Sequence, residues 1–126
     1  GMAALYCASA MGHLEMVRLL LEKGADADAK DKDGMAALHV AYIRGHTDVA
    51  RLLLEKGADA NIMDKDGWTA LLLATEKGHL EVVRLLLAKG ADTKIGIEGG
   101  RTALIAASEK GHTEVVQLLL GKGADM

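Results

Sequence analysis

Four histidines fall on one beat: His13, His46, His79 and His112 each follow a glycine and lie 33 residues apart. Imidazole is the commonest metal ligand and a frequent general base, so a regular row of it raises a metal centre or proton-transfer catalysis. Zinc needs each coordinating nitrogen about 2.0–2.1 Å away, whereas stacked helical units sit about 8–10 Å apart. Equivalent histidines of neighbouring units therefore cannot share an ion. The expected role of each is a hydrogen bond to neighbouring backbone. Cys7 stands without any Ser/His/Asp context, and no phosphate-cradling glycine loop or paired-carboxylate motif is present. Asp31-Lys32-Asp33-Gly34 and Asp64-Lys65-Asp66-Gly67 begin like calcium loops but lack the later ligands and the closing glutamate. No catalytic residue, metal or cofactor is expected.

The elements that would position such residues follow from the period. Gly-Ala-Asp keeps the same beat at Gly24, Gly57, Gly90 and Gly123, and a period this long marks a stacked repeat array. The 126 residues form one domain that divides into repeats 1–30, 31–63, 64–96 and 97–126. In repeat two, Asp31 first and Gly34 fourth suit a type I turn. Ala36 to Ile43 reads as a short helix closed by Gly45. Asp48 to Lys56 reads as a second helix with Val49, Leu52 and Leu53 on one face, Thr47 capping its start and Gly57 ending it. The third junction, Ile95-Gly96-Ile97-Glu98-Gly99-Gly100, lacks the Asp-Lys-Asp-Gly turn and reads as the least constrained loop.

Half of the residues are hydrophobic, but Phe is absent and only Trp68, Tyr6 and Tyr42 are aromatic, so the core is expected to be Leu, Val, Ala and Met. A net charge of −3 without clustered Lys or Arg argues against a nucleic-acid partner. The apolar runs are too short for a membrane span. A single cysteine fits a reducing compartment, so the expected location is intracellular, in the cytoplasm.

Turn, helix, Gly-His, helix and Gly-Ala-Asp at a 33-residue period resemble the ankyrin repeat over the whole chain. The resemblance implies an all-α solenoid of antiparallel helix pairs joined by hairpin-like loops, with loop tips and first helices forming a concave face. It also implies a non-catalytic protein partner on that face. The family's Thr-Pro-Leu-His reads Ala36-Ala37-Leu38-His39, Thr69-Ala70-Leu71-Leu72, Thr102-Ala103-Leu104-Ile105 and Ala3-Ala4-Leu5-Tyr6, with proline missing throughout. Ala36 and Ala3 also lack the hydroxyl that caps this helix. In the family His39 would bond the adjacent loop, and Asn61 occupies the loop where ankyrin asparagines can be hydroxylated.

Residues that vary between copies are free to serve binding. The partner-contact set expected from the family comprises Met2, Lys32, Asp33, Met35, Lys65, Asp66, Trp68 and Arg101 in the loops, with Met11, Tyr42, Ile43, Arg44, Glu76 and Lys77 on the first helices. Met2, Met35 and Trp68 are equivalents and should form a row. Trp, Tyr and Arg are common interface anchors, and Met supplies an adaptable surface. The second-helix pairs Glu15–Arg18, Asp48–Arg51 and Glu81–Arg84 should form a solvated face. Repeats one and four keep apolar second helices with no polar replacement set, although terminal repeats need polar outer faces. A segment of a longer array, a truncated, engineered or purely structural scaffold, and a unit that associates end to end are the alternatives this leaves open.

Overall fold

The computed structural model describes residues 2–97 and 100–123, with side chains from Ala4 onward; Met2 of the expected contact surface and Glu98 of the third junction lie outside the described side chains. Among the described residues eight helices run in four pairs: α1 (Met2–Met11) with α2 (Leu14–Glu22), α3 (Ala37–Ile43) with α4 (Thr47–Glu55), α5 (Ala70–Lys77) with α6 (Leu80–Ala88), and α7 (Ala103–Lys110) with α8 (Thr113–Gly121). The first helices stack in the order α1, α3, α5, α7 and the second helices in the order α2, α4, α6, α8. This is an all-α solenoid, as the period requires.

Glycines end the helices. Gly78 and Gly111 cap α5 and α7 in the left-handed conformation, which costs a residue without Cβ nothing. After α4, Ala58 N–H bonds the Leu53 carbonyl and Gly57 N–H bonds that of Leu54, closing the last turn. Each second helix starts at the histidine of Gly-His, and none of these histidines caps with its side chain. Thr47 is therefore not the cap expected of it: it sits one position inside the helix, where its hydroxyl cannot reach the free N–H groups ahead.

The core is a ladder of equivalent positions. Leu5, Leu38, Leu71 and Leu104 are buried, as are Ala8, Ala41, Ala74 and Ala107, whose small side chains permit close helix approach. Methionine is the exception to the expected core. Met11, Met16 and Met63 are exposed and Met35 half-buried, because Leu, Val and Ala fill the inward positions and methionine falls outside them.

Both turns form as expected, with Gly34 N–H to the Asp31 carbonyl at 3.0 Å and Gly67 N–H to that of Asp64 at 3.1 Å. Gly34 is doubly required. Its φ is +76°, and a Cβ there would lie 2.6 Å from the Lys65 backbone nitrogen of the next loop. The third junction differs from its expectation. Gly96–Ile97 (β1) pairs antiparallel with Arg101–Thr102 (β2), so its flanks are held by a short ladder. Gly96 makes this approach possible, since a Cβ would stand 2.9 Å from the Arg101 carbonyl oxygen.

Thr69 and Thr102 cap their helices, accepting from the N–H of Leu72 and Ile105 at 3.3 and 3.5 Å. Ala36 occupies the same extended cap position without a hydroxyl, and Ala37 follows at the first helical position. Ala36→Thr with Ala37→Pro should raise the melting temperature through a cap worth about 0.5–2 kcal/mol. A thermal melt at or below that of the parent would contradict this placement of the helix start.

His39 compensates in part. Its Nδ1 accepts from Ala36 N–H at 3.1 Å, so Nε2 carries the proton and donates to the Trp68 carbonyl at 3.0 Å. One neutral imidazole thus ties α3 to the following loop. Burial holds its pKa below the ordinary 6.5, outweighing the Trp68 carbonyl and the Asp64 carboxylate, which favour the cation. In the unfolded chain His39 takes a proton near the ordinary value, while the folded chain resists it. Its contribution is therefore full above pH 6.5 and declines as pH falls below that. Thermal melts should lose more stability between pH 7.5 and 5 in the parent than in His39→Leu, which copies Leu72; equal losses would contradict the assignment.

Candidate functional site

The loop tips are built rigidly. Asp31 Oδ1 accepts from the N–H groups of Asp33 and Met35 at 2.8 and 2.9 Å, and Asp64 Oδ1 accepts from those of Asp66 and Trp68 at 2.9 Å each. The Trp68 carbonyl is held by Asp64 N–H and by His39. Adjacent tips are joined: Lys65 N–H donates to the Asp33 carbonyl at 3.2 Å, and Lys65 Nζ reaches Asp33 Oδ1 at 3.2 Å. That hydrogen bond and the Asp33 charge raise the Lys65 pKa. Lower on the loops, Asp59 N–H bonds Asp28 Oδ1 at 2.9 Å and Asp92 N–H bonds Asn61 Oδ1 at 2.7 Å. Asn61 therefore links repeats through its amide oxygen.

Along the face formed by loop tips and first-helix ends, character changes from one end to the other. Met11 and Ile43 are 63% and 40% exposed, with half-buried Met35 and Trp68 on the loops beside their helices. Arg44 and Lys77 are exposed and form no ion pair among the described residues; Lys32 and Asp66 are exposed at the tips. Toward repeat four the surface is ionic. Arg101 Nη2 binds Glu76 Oε1 at 3.0 Å and Glu109 Oε1 at 2.8 Å, and Lys110 Nζ lies 3.6 Å from Glu76 Oε2. The fold thus brings together Asp33 with Lys65 and Glu76 with Arg101. Met35, Trp68 and Arg101 occupy one loop position in three successive repeats and so lie in a row.

Tyr42 does not belong to this surface. It is 2% exposed, with its hydroxyl buried and unpartnered, and burial raises its pKa. Tyr42 follows Leu38 by four residues, which places both on the inward stripe of α3, while Ile43 turns outward. Its equivalents are Ser9, Thr75 and Ser108, so a position otherwise small and hydroxylated carries a ring here.

His46 Nε2 meets the Ala10 carbonyl at 3.0 Å, the backbone role expected of all four Gly-His histidines; among the described residues His13, His79 and His112 show no such bond. The His46 ring packs so closely on Gly12 that a Cβ there would lie 2.7 Å away. Among the described residues, no three His, Cys, Asp or Glu side chains gather to hold a metal ion. No helix among them is long and apolar enough to cross a membrane.

The family described as ankyrin repeats in three copies matches residues 1–64 and again residues 56–126. The chain belongs to the ankyrin-repeat family. Ankyrin repeats are generally protein–protein interaction modules and are typically non-catalytic. Comparison with curated proteins gave no match. Within the ankyrin frame, sequence reasoning singled out the apolar second helices of the end repeats but missed Met16 and Ile105, which are exposed where their internal equivalents are buried. Aligning each copy with its neighbours, and asking which side of the unit each position faces, would have found them.

Proposed function

We propose that this ankyrin domain is a non-catalytic binding module that seats a protein partner on the concave face of repeats one to three. The supporting observation is the exposed apolar pair Met11 and Ile43 beside Arg44, which forms no ion pair among the described residues, against loop tips whose backbone is tied down by Asp31, Asp64 and His39. Such preorganisation lowers the ordering cost of association. The set of contact residues is Met11, Met35, Ile43, Arg44, Trp68 and Lys77, with the Asp33–Lys65 pair at the rim. A Trp68→Ala, Arg44→Ala double variant should lose a partner that the parent and an Arg51→Ala control on α4 both retain from a lysate. Equal retention by all three would place the contact elsewhere.

A further inference from the structure

The position just before the glycine of Gly-His is exposed in all four repeats, as Met11, Arg44, Lys77 and Lys110. Three of these are cations in successive repeats, and their surroundings differ. Lys110 Nζ has the Glu76 carboxylate 3.6 Å away, one repeat earlier and two residues before Gly78. Glu76 also holds Arg101, as does Glu109. The cations Arg101 and Lys110 are therefore neutralised within the domain. One repeat earlier the pattern breaks. The residue that corresponds to Glu76 is Ile43, so Lys77 has an aliphatic position where Lys110 has a carboxylate. For Arg44 the corresponding position is Ala10. The loop position of Arg101 becomes Trp68 and Met35. Arg44 and Lys77 are exposed, and neither forms an ion pair among the described residues. Carboxylates at the loop tips do not fill the gap. Asp31 and Asp64 accept from the backbone of their own turns, Asp33 is held by Lys65, and exposed Lys32 offsets exposed Asp66.

Resting on the binding reading above, we propose that the partner presents an acidic segment, with an aliphatic side chain seated on Met11 and Ile43 and carboxylates bound to Arg44 and Lys77. Each carboxylate takes the place that Glu76 holds against Lys110. Packed helices of successive repeats lie about 8–10 Å apart, and an extended chain advances about 3.3 Å per residue. Two acidic residues spaced three apart along the segment therefore match the two cations. The aliphatic residue lies on the repeat-one side of them, where Met11 and Ile43 are 63% and 40% exposed. A basic segment would set like charges against each other beside an apolar contact, which costs affinity and excludes it.

The test selects binders to the immobilised domain from a display library of random linear peptides. Peptides recovered on the parent should carry Leu, Ile or Met beside spaced Asp or Glu. On Arg44→Glu with Lys77→Glu, verified as folded by circular dichroism, the recovered peptides should instead carry Lys or Arg. An acidic peptide selected on the parent should bind that variant about 10-fold or more weakly, the effect of opposing like charges. Raised salt should weaken its binding to the parent. Ile43→Asp reports separately on the binding face. Peptides that lose affinity for Ile43→Asp but show no acidic enrichment, or keep it on the charge-reversed variant, would overturn the acidic partner alone. Peptides that bind Ile43→Asp as they bind the parent would overturn the binding face as well. A library from which the parent enriches nothing would also overturn the acidic-segment proposal.

Discussion

Tyr42→Ala should unfold this domain at markedly lower urea, with a loss of about 3–5 kcal/mol, the range for truncating a large buried aromatic. The ring is among the largest fully enclosed side chains, at a position filled elsewhere by Ser9, Thr75 and Ser108. A methyl group in place of the enclosed ring leaves space that the surrounding packing fills only in part, so a void remains. Tyr42→Phe keeps the ring and removes a hydroxyl that has no hydrogen-bond partner among the described residues. That variant should match the parent or exceed it by about 1 kcal/mol, since an unpaired buried polar group carries a desolvation cost. Urea unfolding of both variants checks the pair. Equal losses from Phe and Ala would show that the hydroxyl, not the ring, matters.

The second large effect concerns binding. Ile43→Asp should weaken the affinity for a captured partner by roughly 30-fold or more, corresponding to the 2 kcal/mol of an interface hot spot. Ile43 is 40% exposed at the end of α3, flanked by the exposed Arg44 and one repeat from Met11. A charge at this point would have to be desolvated against an apolar contact, while the free domain tolerates it at the surface. The melting temperature should therefore stay within a few degrees of the parent. Arg51→Ala, on the exposed side of α4, should change affinity little. Isothermal titration with the purified partner measures both; an unchanged Ile43→Asp affinity would remove this side chain from the contact.

Much of the fold was legible because repetition multiplies weak signals. One Gly-His or one Asp-Lys-Asp-Gly says little, but each recurrence fixes a helix end or a turn at the same place in the unit. The helix pairs and the turns at Asp31 and Asp64 follow from that, whereas the bridging role of His39, present in one copy only, came from the resemblance to the family. What repetition could not supply is the content of a position where one copy departs from the others. Tyr42 resembles an interface anchor in sequence, and only the rotation of α3 shows that it points inward with Leu38. The third junction lost its turn residues, and the β1–β2 ladder that replaced them depends on the close approach at Gly96, which no local propensity announces. The ionic cluster of Arg101, Glu76 and Glu109 joins a loop to two helices, so the sequence showed its members but not their contact.

A partner should sit on the face formed by the loop tips and first-helix ends of repeats one to three. Site-specific photocrosslinking tests this most directly, with a photoreactive residue placed at Met11, Ile43, Arg51 or Arg84 in separate preparations and irradiated in lysate. Covalent adducts to one protein from Met11 and Ile43, with none from Arg51 or Arg84, are the predicted result. Adducts from Arg51 and Arg84 alone, or none from any position, would contradict it.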